Sequence, residues 1–148
     1  MSVNPNLVDV VFVPTDSYVV GREKIREFAQ AVFADDPAHF SVEVAMSRGF
    51  LDVVAPPTFP VVIQEKTLHQ LLVHKEAGID FSRVVHGDQR FEYSRPVVAG
   101  DELIATLRVT KVQSLGGHSM VTSESEMRTV EGEHVVTAIS TLVVRGDD

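Results

Sequence analysis

The sequence predicts an α+β fold in which a curved antiparallel sheet wraps around one buried helix. Two observations carry this. The first half of the chain holds two helical periodicities separated by proline-rich breaks, and the second half holds four β-rich segments joined by short glycine turns. Helices followed by hairpin-linked strands give an antiparallel sheet with its helices on one face. The 148 residues are the length of one domain, so a single domain is expected over residues 1–148.

Leu7–Val13 is valine-rich and ends at the turn-forming Pro14-Thr15-Asp16-Ser17, which predicts a short strand or an extended arm. Tyr18-Val19-Val20 then leads into a helix. From Arg22 to Ala34, the apolar residues Ile25, Phe28, Ala29, Val32 and Phe33 recur at three- and four-residue steps, an amphipathic pattern. Asp35-Asp36-Pro37 stops it, because proline disfavours a helical residue before it. Val42–Arg48 fits a short helical turn closed by Gly49. Pro60 suits a first helical position, so a second helix is expected over Val61–Ala77 with Gly78 as its cap. Its residues Val62, Ile63, Leu68, Leu71, Leu72 and Val73 wrap most of the circumference, which predicts burial nearly all round. Val84–Tyr93, Glu102–Ser114, His118–Thr129 and Glu133–Arg145 read as strands. Pro96 and Gly100-Asp101, Leu115-Gly116-Gly117 and Glu131-Gly132 separate them.

Composition narrows the function. Lys and Arg number 13 against 21 Asp and Glu, a net charge of −8, and no basic stripe exists. That argues against a nucleic-acid partner, whose phosphates need clustered cations. Cysteine is absent, which excludes disulfides and thiolate chemistry. No apolar run reaches membrane-spanning length, so no membrane role is expected. The first residues carry no basic or apolar leader pattern, which makes the cytoplasm the expected compartment. His69 and His74 are five apart, not the four that would put two ligands on one helix face. No metal and no cofactor are expected.

Three segments carry chemistry together. They are Phe33-Ala34-Asp35-Asp36-Pro37-Ala38-His39, Asp52-Val53-Val54-Ala55-Pro56-Pro57-Thr58-Phe59, and the run from Val85-His86-Gly87-Asp88 to Ala99-Gly100-Asp101. With Val20–Ala29, and in this order, they resemble the MaoC-like hot-dog hydratase/dehydratase family over nearly the whole chain. The resemblance is to the actinobacterial subgroup that includes the mycobacterial HadA subunit. It implies a hot-dog domain acting on acyl thioesters of CoA or acyl carrier protein. The reaction removes water from (3R)-hydroxyacyl chains or adds it to trans-2-enoyl chains. It also implies an acyl tunnel between helix and sheet, and pairing with a second hot-dog subunit as homodimer or heterodimer.

The family signature D-x-N-P-x-H, laid through Pro37, puts its histidine on His39, its asparagine on Asp36 and its aspartate on Ala34. His39, Asp36 and Asp35 are therefore the catalytic candidates, with either aspartate a substitute for the missing one. The family's histidine-glycine pair at the helix mouth falls on Pro56 and Pro57, and proline has no N–H to polarise a thioester carbonyl. That leaves Thr58 and Phe59 as donors beside Pro57. His86 is the fourth binding candidate, with a sheet hydrogen bond as its alternative. Three readings stay open: a subunit needing a catalytic partner, a self-sufficient hydratase/dehydratase, and a non-enzymatic thioester-binding module. A thioesterase is less well matched, because Glu65 is the only carboxylate near the start of the second helix.

Overall fold

The computed structural model describes residues 2–146. Among them the order is β1 (Tyr18–Val19), α1 (Arg22–Ala31), α2 (Val42–Ser47), α3 (Val61–Leu72), β2 (Val84–Tyr93), β3 (Glu102–Leu115), β4 (His118–Thr129) and β5 (His134–Val144). The strands form one antiparallel sheet in the order β1-β3-β4-β5-β2. β2 and β4 have the bounds expected from sequence, β3 runs one residue longer at its end, and β5 is one residue shorter at each end. Irregularities at His86/Asp88, Val109/Lys111 and Met127/Arg128 interrupt the register. Bulges of this kind bend a strand and increase its twist, which curls the sheet around α3.

Alternation decides which side is buried. Leu103, Ala105, Leu107 and Val109 of β3 are all buried, and they meet α3. The core falls into two clusters. Phe59 and Ile63 pack with Leu103, Ala105, Met127, Val136 and Ala138. Leu68 and Leu71 pack with Leu107, Val109, Val121, Leu142 and Val144.

Several expectations need correction. α1 ends at Ala31, not Ala34, because Phe33 adopts a left-handed φ of 59°. Ala34 N–H then bonds to the Ala29 carbonyl (2.8 Å) and Phe33 N–H to that of Gln30 (3.2 Å), which closes the helix. α3 ends at Leu72, not Ala77. His74 turns extended, and Lys75–Ala77 forms a separate 3-10 turn capped by Gly78 at φ 72°. The N-terminal arm claims this corner: Asn4 N–H bonds to the Ala77 carbonyl, and the Phe12 ring packs edge-on against His74 at 5.2 Å. Nor is α3 buried all round. Ile63, Gln64, Thr67, Leu68 and Leu71 are buried, whereas Glu65, Lys66 and His69 are exposed. Tyr18-Val19 is a strand paired with Leu103 and Glu102 rather than a helix lead-in.

Of Leu7–Val13, Leu7 closes a 3-10 turn over Pro5–Leu7 and Asp9 takes a left-handed φ of 69°, so only the residues after Asp9 form the expected extended arm. Asp9, Phe12 and Thr15 donate backbone N–H bonds to Val109, Leu107 and Ala105, so the arm covers the edge of β3 beyond β1. The other edge, β2, has no further strand beside it among the described residues. No helix there is long and apolar enough to cross a membrane.

Phe33 is 92% exposed while holding its left-handed φ, so the ring contributes no packing to offset the backbone cost. Glycine escapes that cost but loses more chain entropy on folding. Phe33→Gly should therefore stabilise the fold by about 0.5–1 kcal/mol, read as a higher urea midpoint at unchanged slope.

Candidate functional site

The site is built on backbone bonds around Val54. Val54 N–H donates to the Ala38 carbonyl (3.0 Å), while Ala55 N–H donates to Val97 (2.8 Å) and Ala99 N–H to Val53 (3.0 Å). The loop after α1, the mouth of α3 and the corner between β2 and β3 are thereby held together. Arg95 fixes that corner through two N–H bonds to Asp101 (both 2.9 Å) and two to Glu133 (both 3.2 Å). Asp101 also accepts the Val98 N–H.

His39 ends the turn Pro37–His39, and its Nδ1 lies 2.7 Å from the Val54 carbonyl oxygen. A carbonyl only accepts, so Nδ1 carries the proton, and neutral His39 keeps its lone pair on Nε2. His39, Pro57, Tyr93, Ser94 and Arg95, with Val54, Ala55 and Pro96, line a cavity of about 440 Å³. Tyr93 donates its phenol proton to the Pro57 carbonyl (2.6 Å), and burial pushes its pKa well up, so it stays protonated. Ser94 shares a hydrogen bond of 2.5 Å with His134 Nδ1, whose Nε2 meets the Thr137 hydroxyl at 2.7 Å.

The structure brings together only some of the expected set. His39 and Pro57 share the cavity. Asp36 does not line it. Its carboxylate caps the turn by accepting the Ala38 N–H (2.9 Å) and binds Arg48 (2.6 Å). Asp35 is exposed and makes no side-chain bond among the described residues. Phe59 is wholly buried in the core, edge-on to Phe28 at 5.4 Å, and its N–H is taken by the Pro56 carbonyl (2.9 Å). Thr58 is exposed on the same turn, next to Pro57 but not itself lining the cavity, and its N–H makes no bond among the described residues, so it alone survives as a backbone donor beside Pro57. His86 is exposed on β2 with its Nε2 3.1 Å from the Asp88 carbonyl, away from the cavity wall.

Tyr93, Ser94 and Arg95 were not expected as wall residues. The available signal was the two-residue alternation of β2, which puts Tyr93 on the same strand face as the half-buried Gln89 and Phe91; Ser94 and Arg95 lie past the end of β2 and carried none. Among the described residues, no group of His, Asp and Glu could hold a metal. The cavity thus offers one oriented imidazole and no carboxylate.

A curled antiparallel sheet around one helix, with a histidine loop at the helix mouth, defines a hot-dog domain of the dehydratase type. Residues 6–138 match the family described as FAS1-like, dehydratase domain region. A UPF0336 protein of Leifsonia xyli subsp. xyli is 66% identical over 99% of this chain and 98% of its own length. The C-terminally truncated HadBC (3R-hydroxyacyl-ACP dehydratase) complex of Mycobacterium tuberculosis superposes with a TM-score of 0.85. It is 35% identical and covers 93% of this chain and 96% of that one. A MaoC-like dehydratase gives a TM-score of 0.88 at 31% identity, and the match takes in 95% of this chain but only 43% of that one. The chain belongs to the MaoC-like hot-dog dehydratase family, close to the HadA/HadB type.

Asp36 and Asp52 both titrate below the ordinary 3.8: Asp36 through the Ala38 N–H and then Arg48, Asp52 through Arg22. A depressed carboxyl stabilises the fold above its unfolded pKa and loses that contribution as pH falls through the folded value. Stability should therefore decline from about pH 4 downward. Asp36→Asn keeps the capping oxygen but not the charge, so its urea midpoint should fall less steeply over that window.

Proposed function

We propose that this chain is a subunit of a (3R)-hydroxyacyl-thioester dehydratase, or trans-2-enoyl-thioester hydratase in the reverse direction, completed by a second hot-dog subunit. The observation that carries this is the lone imidazole of His39 in a cavity without a carboxylate. Dehydration takes one proton from the α-carbon and gives one to the departing β-hydroxyl, so that water leaves and a double bond forms. His39 Nε2 can serve one of these transfers. Its partner in the family signature would stand at Ala34, which carries no proton. Asp36 cannot readily replace it, because both its geometry and its charge are spent on Ala38 and Arg48. A partner with an intact Asp/His pair supplies what is missing.

Acyl-CoA and acyl-carrier-protein thioesters present the same reacting group, so the proposed chemistry is the same for both. Thr58 N–H is the donor available to the thioester oxygen, since Pro57 has none and its carbonyl already accepts from Tyr93. The open β2 edge is the natural seam for the second subunit, because an unpaired strand edge seeks a partner. The similar HadBC complex, a (3R)-hydroxyacyl-ACP dehydratase, supports a two-subunit arrangement. A cytoplasmic location accords with this substrate class.

The purified chain should scatter light as a dimer or larger at micromolar concentration. Alone, it should hydrate a trans-2-enoyl thioester only weakly. A second hot-dog subunit with the intact D-x-N-P-x-H should raise that rate by about 10²–10⁴-fold, the usual worth of one acid–base group. Ala34→Asp should raise the rate of the chain alone, and His39→Ala should remove it. An unaided rate of about 10 s⁻¹, lost on Asp36→Asn, would instead identify a self-sufficient enzyme. Thioester binding without turnover under every condition would identify a binding module.

A further inference from the structure

Resting on the thioester reading above, we propose that Gln64 and Gln89 close the space between α3 and the sheet, so that this subunit takes only short acyl groups. The resemblance to its family implies an acyl tunnel there, but a polar seam occupies the space instead. Gln64 is 2% exposed at the end of the first turn of α3, and its amide pairs reciprocally with that of Gln89 on β2. Each Nε2 donates to the other's Oε1 at 2.8 Å. One turn on, the Thr67 hydroxyl donates to the Gln64 carbonyl and accepts from Ser125, both at 2.7 Å. Ser123, Ser125 and Ser140 are each no more than 2% exposed. Ser123 sits opposite Ser140 in the register, between the two apolar clusters of the core.

An acyl tail growing from the cavity along the inner face of β2 passes Tyr93 and Phe91 and then meets this seam. To go further it must break both reciprocal amide bonds and leave four polar atoms facing methylenes. Buried polar groups without partners are among the costliest things a core can hold. The tail also lies beside the Ser140 hydroxyl, already buried with no hydrogen-bond partner among the described residues and beyond satisfaction by a hydrocarbon. A tail of only a few carbons stays among Val54, Ala55, Pro57 and Pro96 and never reaches the seam.

The test is calorimetric titration of the full chain, alone and with its catalytic partner, against saturated acyl-CoA thioesters of four to twelve carbons. Each methylene buried in an apolar tunnel tightens binding roughly fourfold. Here Kd should stop falling beyond about six carbons, where that gain ends. Gln64→Ala should tighten binding of the ten- and twelve-carbon thioesters at least tenfold and leave the four-carbon one unchanged. Gln89→Ala is the second variant, should Gln64→Ala fail to fold. A wild-type affinity that keeps rising about fourfold per methylene to twelve carbons, or variants with an unaltered chain-length profile, would overturn the inference and leave the thioester reading standing. Absence of binding to every thioester, the four-carbon one included, would overturn both.

Discussion

The site hangs on the backbone of Val53–Ala55. The Val53 carbonyl and the Ala55 N–H bond to the β2–β3 corner on one side, and both backbone groups of Val54 bond to the His39 loop on the other. Proline follows at once, at Pro56 and Pro57, so the chain cannot continue as a strand and must turn into α3. The same bonds that orient the imidazole therefore also set the angle at which the helix enters the sheet. Loop, helix and sheet cannot move independently here. A shift at the corner held by Arg95 and Asp101 passes directly to the Nδ1 bond that fixes the tautomer of His39.

β2 to β5 were legible from sequence because each is a run of ten or more residues rich in β-formers and set off by proline or glycine turns, whereas β1, two residues long, was not. The helix ends were not. α1 stops where Phe33 takes a conformation that sequence rules assign to glycine, and α3 stops because an arm dozens of residues earlier occupies its last turn. His39 and Pro57 could be placed from local pattern and family signature. Asp36 was harder to judge, since its competing partner, Arg48, lies beyond the next helical turn. Tyr93 was signalled only by the alternation of β2, and Arg95 becomes a wall residue only through the corner after that strand, which no single segment reveals.

Gln64 is the clearest case of a local rule giving way. A glutamine on a helix among Val62, Ile63 and Leu68 interrupts an otherwise apolar face, yet it is buried and fully paired. Its partner, Gln89, stands on the strand that forms the open edge. A seam of this kind divides the core without loosening it, because every amide group within the pair is satisfied. Burial on this side of α3 leaves Glu65, Lys66 and His69 to the outside, which accounts for the mixed character of the helix.

The N-terminal arm has a consequence for how the chain is made. Thr15 reaches Ala105 and Asp9 reaches Arg108 across separations of 90 and 99 residues, whereas the hairpin of β3 and β4 closes over a two-residue turn. Contacts so distant along the chain form late, since their loop entropy must be met before they contribute. While the ribosome is still adding residues, the arm has emerged but its docking strand does not yet exist. The edge of β3 is therefore naked from the moment it appears until the arm folds back, and in that interval the nascent protein has two open edges instead of one.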